Sequence, residues 1–155
     1  MLHKLEKKSM YLDDLMPVIR EQLDNCVPVR IEPRGTSMMP MIREGFDSVV
    51  LSKLPEKPKK YDVILYQRRN GQYVLHRLVK VGETYTFIGD NQFEKEKGIA
   101  HDQLIAIVSS FYRGEKRISV DKLSYKIYCR VWYNSRYIRH VWKKLISLVQ
   151  HMGAK

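Results

Sequence analysis

The run Tyr61-Asp62-Val63-Ile64-Leu65-Tyr66-Gln67-Arg68-Arg69-Asn70-Gly71-Gln72-Tyr73-Val74-Leu75-His76-Arg77-Leu78-Val79 decides the fold. Its two arms are rich in β-branched and aromatic residues, and they flank Asn70-Gly71, a dipeptide that readily supplies the positive φ of a tight turn. This is a hairpin, with strands expected over Tyr61–Gln67 and Tyr73–Val81. Working outward, Val27–Ile31, Ser48–Ser52, Tyr85–Ile88, Leu104–Tyr112 and Arg117–Val120 have the same short, Val/Ile/Tyr-rich character. Pro33-Arg34-Gly35, Pro55 to Pro58, Gly82-Glu83 and Gly89-Asp90-Asn91 punctuate them. Strands at this spacing predict a mainly β fold, small and partly closed.

The period changes at both ends. Leu12, Leu15, Met16, Ile19 and Leu23 recur along one helix face, which predicts a short helix from about Asp14 to Asn25. Pro17 fits its first turn if Asp13 or Asp14 is the cap. After the strands, Ile127, Val131, Ile138, Trp142, Leu145 and Val149 fall near a 3.6-residue period, interleaved with Lys, Arg, Tyr and Trp. That segment predicts a basic, aromatic-rich amphipathic helix broken at Asn134-Ser135. Three parts follow: an N-terminal helical extension (1–27), a β domain (28–120) and the amphipathic helix (121–155).

A chain of 155 residues suits one domain, and 44% hydrophobic content supplies a core, so wholesale disorder is excluded. No apolar run approaches the 18 or so residues of a spanning helix. Met1-Leu2-His3-Lys4-Leu5-Glu6-Lys7-Lys8 has no apolar stretch behind its basic residues, so it does not read as a signal peptide. The expected location is the cytoplasm, with peripheral attachment to the inner face of the membrane as its extension. Cys26 and Cys129 form no metal or disulfide pattern and read as buried or idle thiols. No metal or cofactor is expected. The net charge of +11 is concentrated at the C-terminus, where residues 121–155 hold eight basic residues and one acid.

Chemistry concentrates at two places. Ser37 lies in Arg34-Gly35-Thr36-Ser37-Met38-Met39-Pro40, a turn that exposes a hydroxyl and aims a backbone N–H at a developing oxyanion. His76 sits inside an expected strand, sharing a face with Val74 and Leu78, and a histidine is the base that a serine nucleophile needs. On their own, such a serine is an ordinary turn and such a histidine a satisfied core residue. His3, His101, His140 and His151 read as solvated side chains.

Five blocks in order make these places specific: Gly35-Thr36-Ser37-Met38-Met39-Pro40, Gly45-Phe46-Asp47-Ser48-Val49-Val50-Leu51, Tyr61-Asp62-Val63-Ile64, Leu75-His76-Arg77-Leu78-Val79 and Ile88-Gly89-Asp90-Asn91. Over about residues 28–112 the chain resembles the clan that joins type I signal peptidases with self-cleaving LexA-like repressors. At the base position it is similar to the histidine-bearing endoplasmic-reticulum and archaeal type, without a membrane anchor. The resemblance implies a LexA/signal-peptidase-like β fold and a serine endopeptidase with Ser37 as nucleophile and His76 as general base. It also implies a Thr36 contribution to the oxyanion site and a shallow apolar pocket floored by Met38, which otherwise reads as a core filler. An acid to orient the imidazole is expected at Asp90, or else at Glu94, Glu96 or Asp102; Asp90 equally closes a turn. Asp47, Asp62 and Arg77 read as structural.

Two departures stand out: Gly35 replaces the serine often found two residues before the nucleophile, and the Gly45-Phe46-Asp47 block carries one inserted residue. An unperturbed histidine base predicts activity rising through about pH 6–7. The expected partner is an extended leader or precursor peptide, with an anionic membrane surface engaged by residues 121–155. The competing classes are a LexA-like regulatory module using the basic tail, and an inactive β scaffold. Nucleic acid is disfavoured as a partner, because residues 1–27 offer one helix where a helix-turn-helix needs two.

Overall fold

The computed structural model describes residues 12–152; the reading of Met1–Lys8 falls outside them. The element order is α1 (Leu12–Asp24), β1 (Val29–Ile31), β2 (Asp47–Lys53), β3 (Val63–Gln67), β4 (Tyr73–Lys80), β5 (Tyr85–Ile88), β6 (Glu96–Ile99), β7 (Leu104–Arg113), β8 (Lys116–Ser119), α2 (Leu123–Asn134) and α3 (Arg136–Met152). One antiparallel sheet runs β1-β2-β7-β3-β4-β5-β6, with β8 paired to the far half of β7. The fold is mainly β, as expected. Closure is not observed: the ladder stops at β1 and β6, edge strands of only three and four residues. Strands that short offer few groups for a further pairing.

The hairpin of β3 and β4 is the centre of the sheet. Its register pairs Ile64 with His76 and Tyr66 with Val74, and Gly71 turns the loop at φ +89°. Alternation then sends neighbours to opposite faces. Val63 and Leu65 join one buried cluster with Met16, Ile19 and Leu23 of α1. Ile64, Tyr66, Val74 and Leu78 join a second cluster with Phe87 on the other face. Leu78 and Phe87 are fully buried, each worth about 1.5–3 kcal/mol of apolar burial. His76 therefore belongs to the second face and Arg77 to the first.

One expectation about the helices changes. Pro17 lies inside α1 rather than in its first turn, because the helix already includes Leu12. The C-terminal helix does break at Ser135, whose N–H donates to Val131 O and Tyr133 O. Its apolar stripe, however, does not cover the body. Tyr125 and Cys129 are the buried residues of α2, whereas Ile127, Val131, Ile138, Trp142 and Leu145 are all more than half exposed. Val149 lies in α3 beyond the described side chains. Cys129 is buried and Cys26 exposed, both as free thiols.

Candidate active site

The Ser37 turn is shaped by its neighbours. Gly35 takes φ +90°, a conformation that strains any other L-residue. Met39 N–H then donates to Thr36 O (3.1 Å) and Ile42 N–H to Met38 O (3.0 Å). Met38 is buried in the first cluster and also lines the cleft. Thr36 is exposed and Ser37 half-buried. The loop after β5 fastens the turn: Asn91 N–H donates to Ser37 O (2.8 Å), and Asn91 Nδ2 to Thr36 O (3.3 Å). Gly89 has no room for a side chain, since a Cβ there would stand 2.7 Å from Ser37 O.

Ser37 and His76 line one cleft of about 380 Å³. Their side chains are not hydrogen-bonded to each other in this structure, a separation that an unliganded site tolerates. His76 is held from the other side. Its Nδ1 lies 3.3 Å from Tyr66 Oη, and that hydroxyl donates to Glu96 Oε2 at 2.7 Å. The carboxylate can only accept, so the Tyr66 proton belongs to that bond. Tyr66 Oη must then accept from His76 Nδ1–H. This assignment puts the imidazole proton on Nδ1 and leaves Nε2 with its lone pair.

Electrostatics agree with that assignment. Arg68 grips Glu96 through Nε (2.7 Å) and Nη2 (2.6 Å) and holds its carboxyl below the ordinary range against the effect of burial. Burial, and then Glu96, hold the Tyr66 phenol well above its ordinary pKa, so it stays a donor. Burial pushes His76 down to about 4, opposed by Glu96 and Asp90 and assisted by Arg68. The expectation of a histidine titrating at 6–7 is corrected accordingly. At neutral pH the imidazole is already free of its proton.

Asp90 does not meet His76. Its carboxylate accepts from Arg77 Nε (2.7 Å) and Nη2 (2.6 Å) in a fully buried ion pair. Arg77 Nη1 also donates to Tyr61 O and contacts Tyr125 and Cys129. The cause is strand alternation: residue 77 projects to the face opposite residue 76, and Asp90 follows Arg77. Burial is the largest influence and lowers the Arg77 pKa, but the hydrogen bond and charge of Asp90, with Tyr125 and Cys129, together more than offset it. Glu94 and Asp102 are exposed. Of the four acids expected, Glu96 is the one coupled to the imidazole, through Tyr66. Asp47 and Asp62 close turns, accepting from Arg43 N–H (3.0 Å) and Lys59 N–H (2.7 Å).

Neither Tyr66 nor Arg68 is among the site residues expected from the sequence. The hairpin register held the signal for Tyr66, because pairing it with Val74 makes it the diagonal neighbour of His76. Among the described residues, no group of His, Cys, Asp and Glu side chains could hold a metal ion. No helix of the described residues is long and apolar enough to cross a membrane. No family model, curated protein or solved structure matches the chain.

Proposed function

We propose that the chain is a serine endopeptidase of signal-peptidase type, acting on an extended peptide by Ser37–His76 catalysis. The observation that carries this reading is the cleft shared by Ser37 and His76, with His76 Nδ1 tied to the Tyr66–Glu96 pair. In acylation, Ser37 Oγ attacks the scissile carbonyl carbon and its proton passes to His76 Nε2. The backbone N–H of Ser37 serves as donor to the developing oxyanion. Collapse breaks the C–N bond, and the imidazolium returns the proton to the leaving amine. Water, deprotonated by the same Nε2, then hydrolyses the ester. Digestion of a broad library of extended peptides tests the proposal; no cleavage, with or without lipid, sinks it.

An extended substrate suits the sheet. β5 pairs with β4 only from Arg77 onward, so Tyr73–His76 keep one backbone edge without a strand partner among the described residues. Those residues line the cleft, and an incoming strand can add there.

The coupling of Glu96 to His76 has a testable sign. The carboxylate favours the imidazolium, so Glu96→Gln lowers the His76 pKa further and moves the acid limb of kcat/KM below its expected position near pH 4. Tyr66→Phe removes the acceptor for Nδ1–H and lowers kcat by up to roughly 100-fold through misorientation, with KM little changed. A uniform loss across pH, with the limb unmoved, would assign Glu96 a purely structural role.

The exposed face of α3 supports a working location at an anionic membrane surface. Ile138, Val141, Trp142, Leu145 and Ile146 form an exposed apolar stripe, and residues 123–152 contain no acid. A second copy presenting the same cationic helix would be repelled, whereas an anionic bilayer surface satisfies both stripe and charge. Vesicles of phosphatidylcholine mixed with phosphatidylglycerol should bind the protein and shift Trp142 emission to the blue. High salt and Leu145→Glu should each release it. Equal binding to purely zwitterionic vesicles, or none to either, contradicts this placement.

A further inference from the structure

A second cleft, of about 290 Å³, separates the helices from the β body. Pro40, Phe93, Trp132, Arg136, Arg139 and His140 line it, and Asn91 and Gln92 line both this cleft and the Ser37–His76 cleft. The two are neighbours across one wall, the loop that is bonded to Ser37 O.

The charges in this second cleft are not balanced. Arg139 stacks 3.4 Å over the Trp132 ring and gives one Nη2 bond to Trp132 O (2.7 Å), while its buried Nε has no hydrogen-bond partner. Arg136 donates to Tyr133 O and Tyr137 Oη. Neither arginine forms an ion pair with a carboxylate among the described residues. Asp90, the one acid in the lining, has both carboxylate oxygens on Arg77 and offers only its carbonyl, to Trp132 Nε1. Burial pulls the Arg139 pKa below its ordinary value. An ordinary amphipathic helix turns its basic face to water. Here Arg136 and Arg139 are half-buried while the apolar stripe faces out. Guanidinium groups over aromatic faces, with donors unspent, are receptors for a planar carboxylate.

We infer that this cleft is a subsite for an acidic side chain, Glu or Asp, of the peptide substrate, gripped by Arg139 and Arg136 and packed on Phe93 and Trp132. The inference rests on the peptidase reading in taking the occupant to be substrate. A lipid headgroup fits less well, because the stripe that lipid would cover lies on the other side of α3. The second cleft adjoins the Ser37–His76 cleft across the shared wall, and we take one extended peptide to occupy both.

The test uses the full chain carrying Ser37→Ala, so that peptides bind without turnover, and Trp142→Phe, so that Trp132 alone reports. Short end-blocked Ala/Val peptides carry one Glu walked along the sequence, each paired with its Gln analogue. At one position, Glu should bind roughly tenfold or more tightly than Gln and change Trp132 emission. Arg139→Gln should abolish the preference and Arg136→Gln weaken it, with circular dichroism unchanged. Equal Glu and Gln binding at every position overturns the inference, as does a preference that survives both arginine changes. So does displacement of the Glu peptide by glycerol phosphate at matching concentration, which assigns the cleft to a phosphate group. If the Ser37→Ala chain discriminates Glu from Gln but the parent chain never reacts at Ser37, the acidic subsite stands and the peptidase falls.

Discussion

Ser37→Ala and His76→Ala should each lower turnover of any cleaved peptide by on the order of 10³-fold or more, and the double variant should be little slower than either. The non-additivity is the informative part. A nucleophile without its base, or a base without its nucleophile, leaves only binding and oxyanion stabilisation, so the second removal has little left to take. Both variants should keep the fold, because Ser37 is a half-buried turn residue whose fixing bonds are made by its backbone. His76 is buried, with its Nδ1 bond to Tyr66 as its polar tie. His76→Gln serves as the control that retains a polar group there. Independent, multiplicative losses in the double variant would mean that the two residues do not act as a unit.

The largest stability effect should come from the Arg77–Asp90 pair. Asp90→Asn leaves a buried guanidinium without its counter-charge, at a cost of about 3–5 kcal/mol. For a chain of this size that is a fall of roughly 10 °C in Tm. Replacing both partners, as Arg77→Met with Asp90→Leu, should restore most of the loss, since the desolvation of two charges is removed along with their attraction. Thermal denaturation of the two variants beside the parent chain decides the matter. An Asp90→Asn protein with unchanged Tm and activity lowered by orders of magnitude would return Asp90 to the role of orienting acid.

Asp90 also shows where sequence reasoning reached its limit. Strand alternation was legible, and it placed His76 with Val74 and Leu78 correctly. The same rule puts Arg77 on the other face, but which face Asp90 would join depends on how the loop after β5 returns, and no local pattern encodes that. The acid that does couple to His76 sits on β6, where Glu96-Lys97-Gly98 has neither alternation nor β-branched residues, so no strand is expected there. Tertiary pairing with β5 makes it a strand. The α3 stripe was visible at its true period, yet periodicity states only that one face is apolar. It does not say what lies against that face.

The hairpin and most strands, by contrast, were fixed by local chemistry: Asn70-Gly71 set the turn, and Tyr85–Ile88 was bounded by the same residues in sequence and structure. Closure of the sheet was not legible, because edge strands of three and four residues carry too little pattern to show where pairing ends.

The most direct test of the central claim is mass-spectrometric mapping of a serine-directed fluorophosphonate probe on the intact chain at pH 7, repeated at pH 5. A Ser37–His76 dyad with the base at about 4 predicts one adduct, on Ser37, at both pH values, and none in His76→Ala. A wild-type chain left unlabelled at Ser37, or an adduct there that survives His76→Ala undiminished, would contradict it.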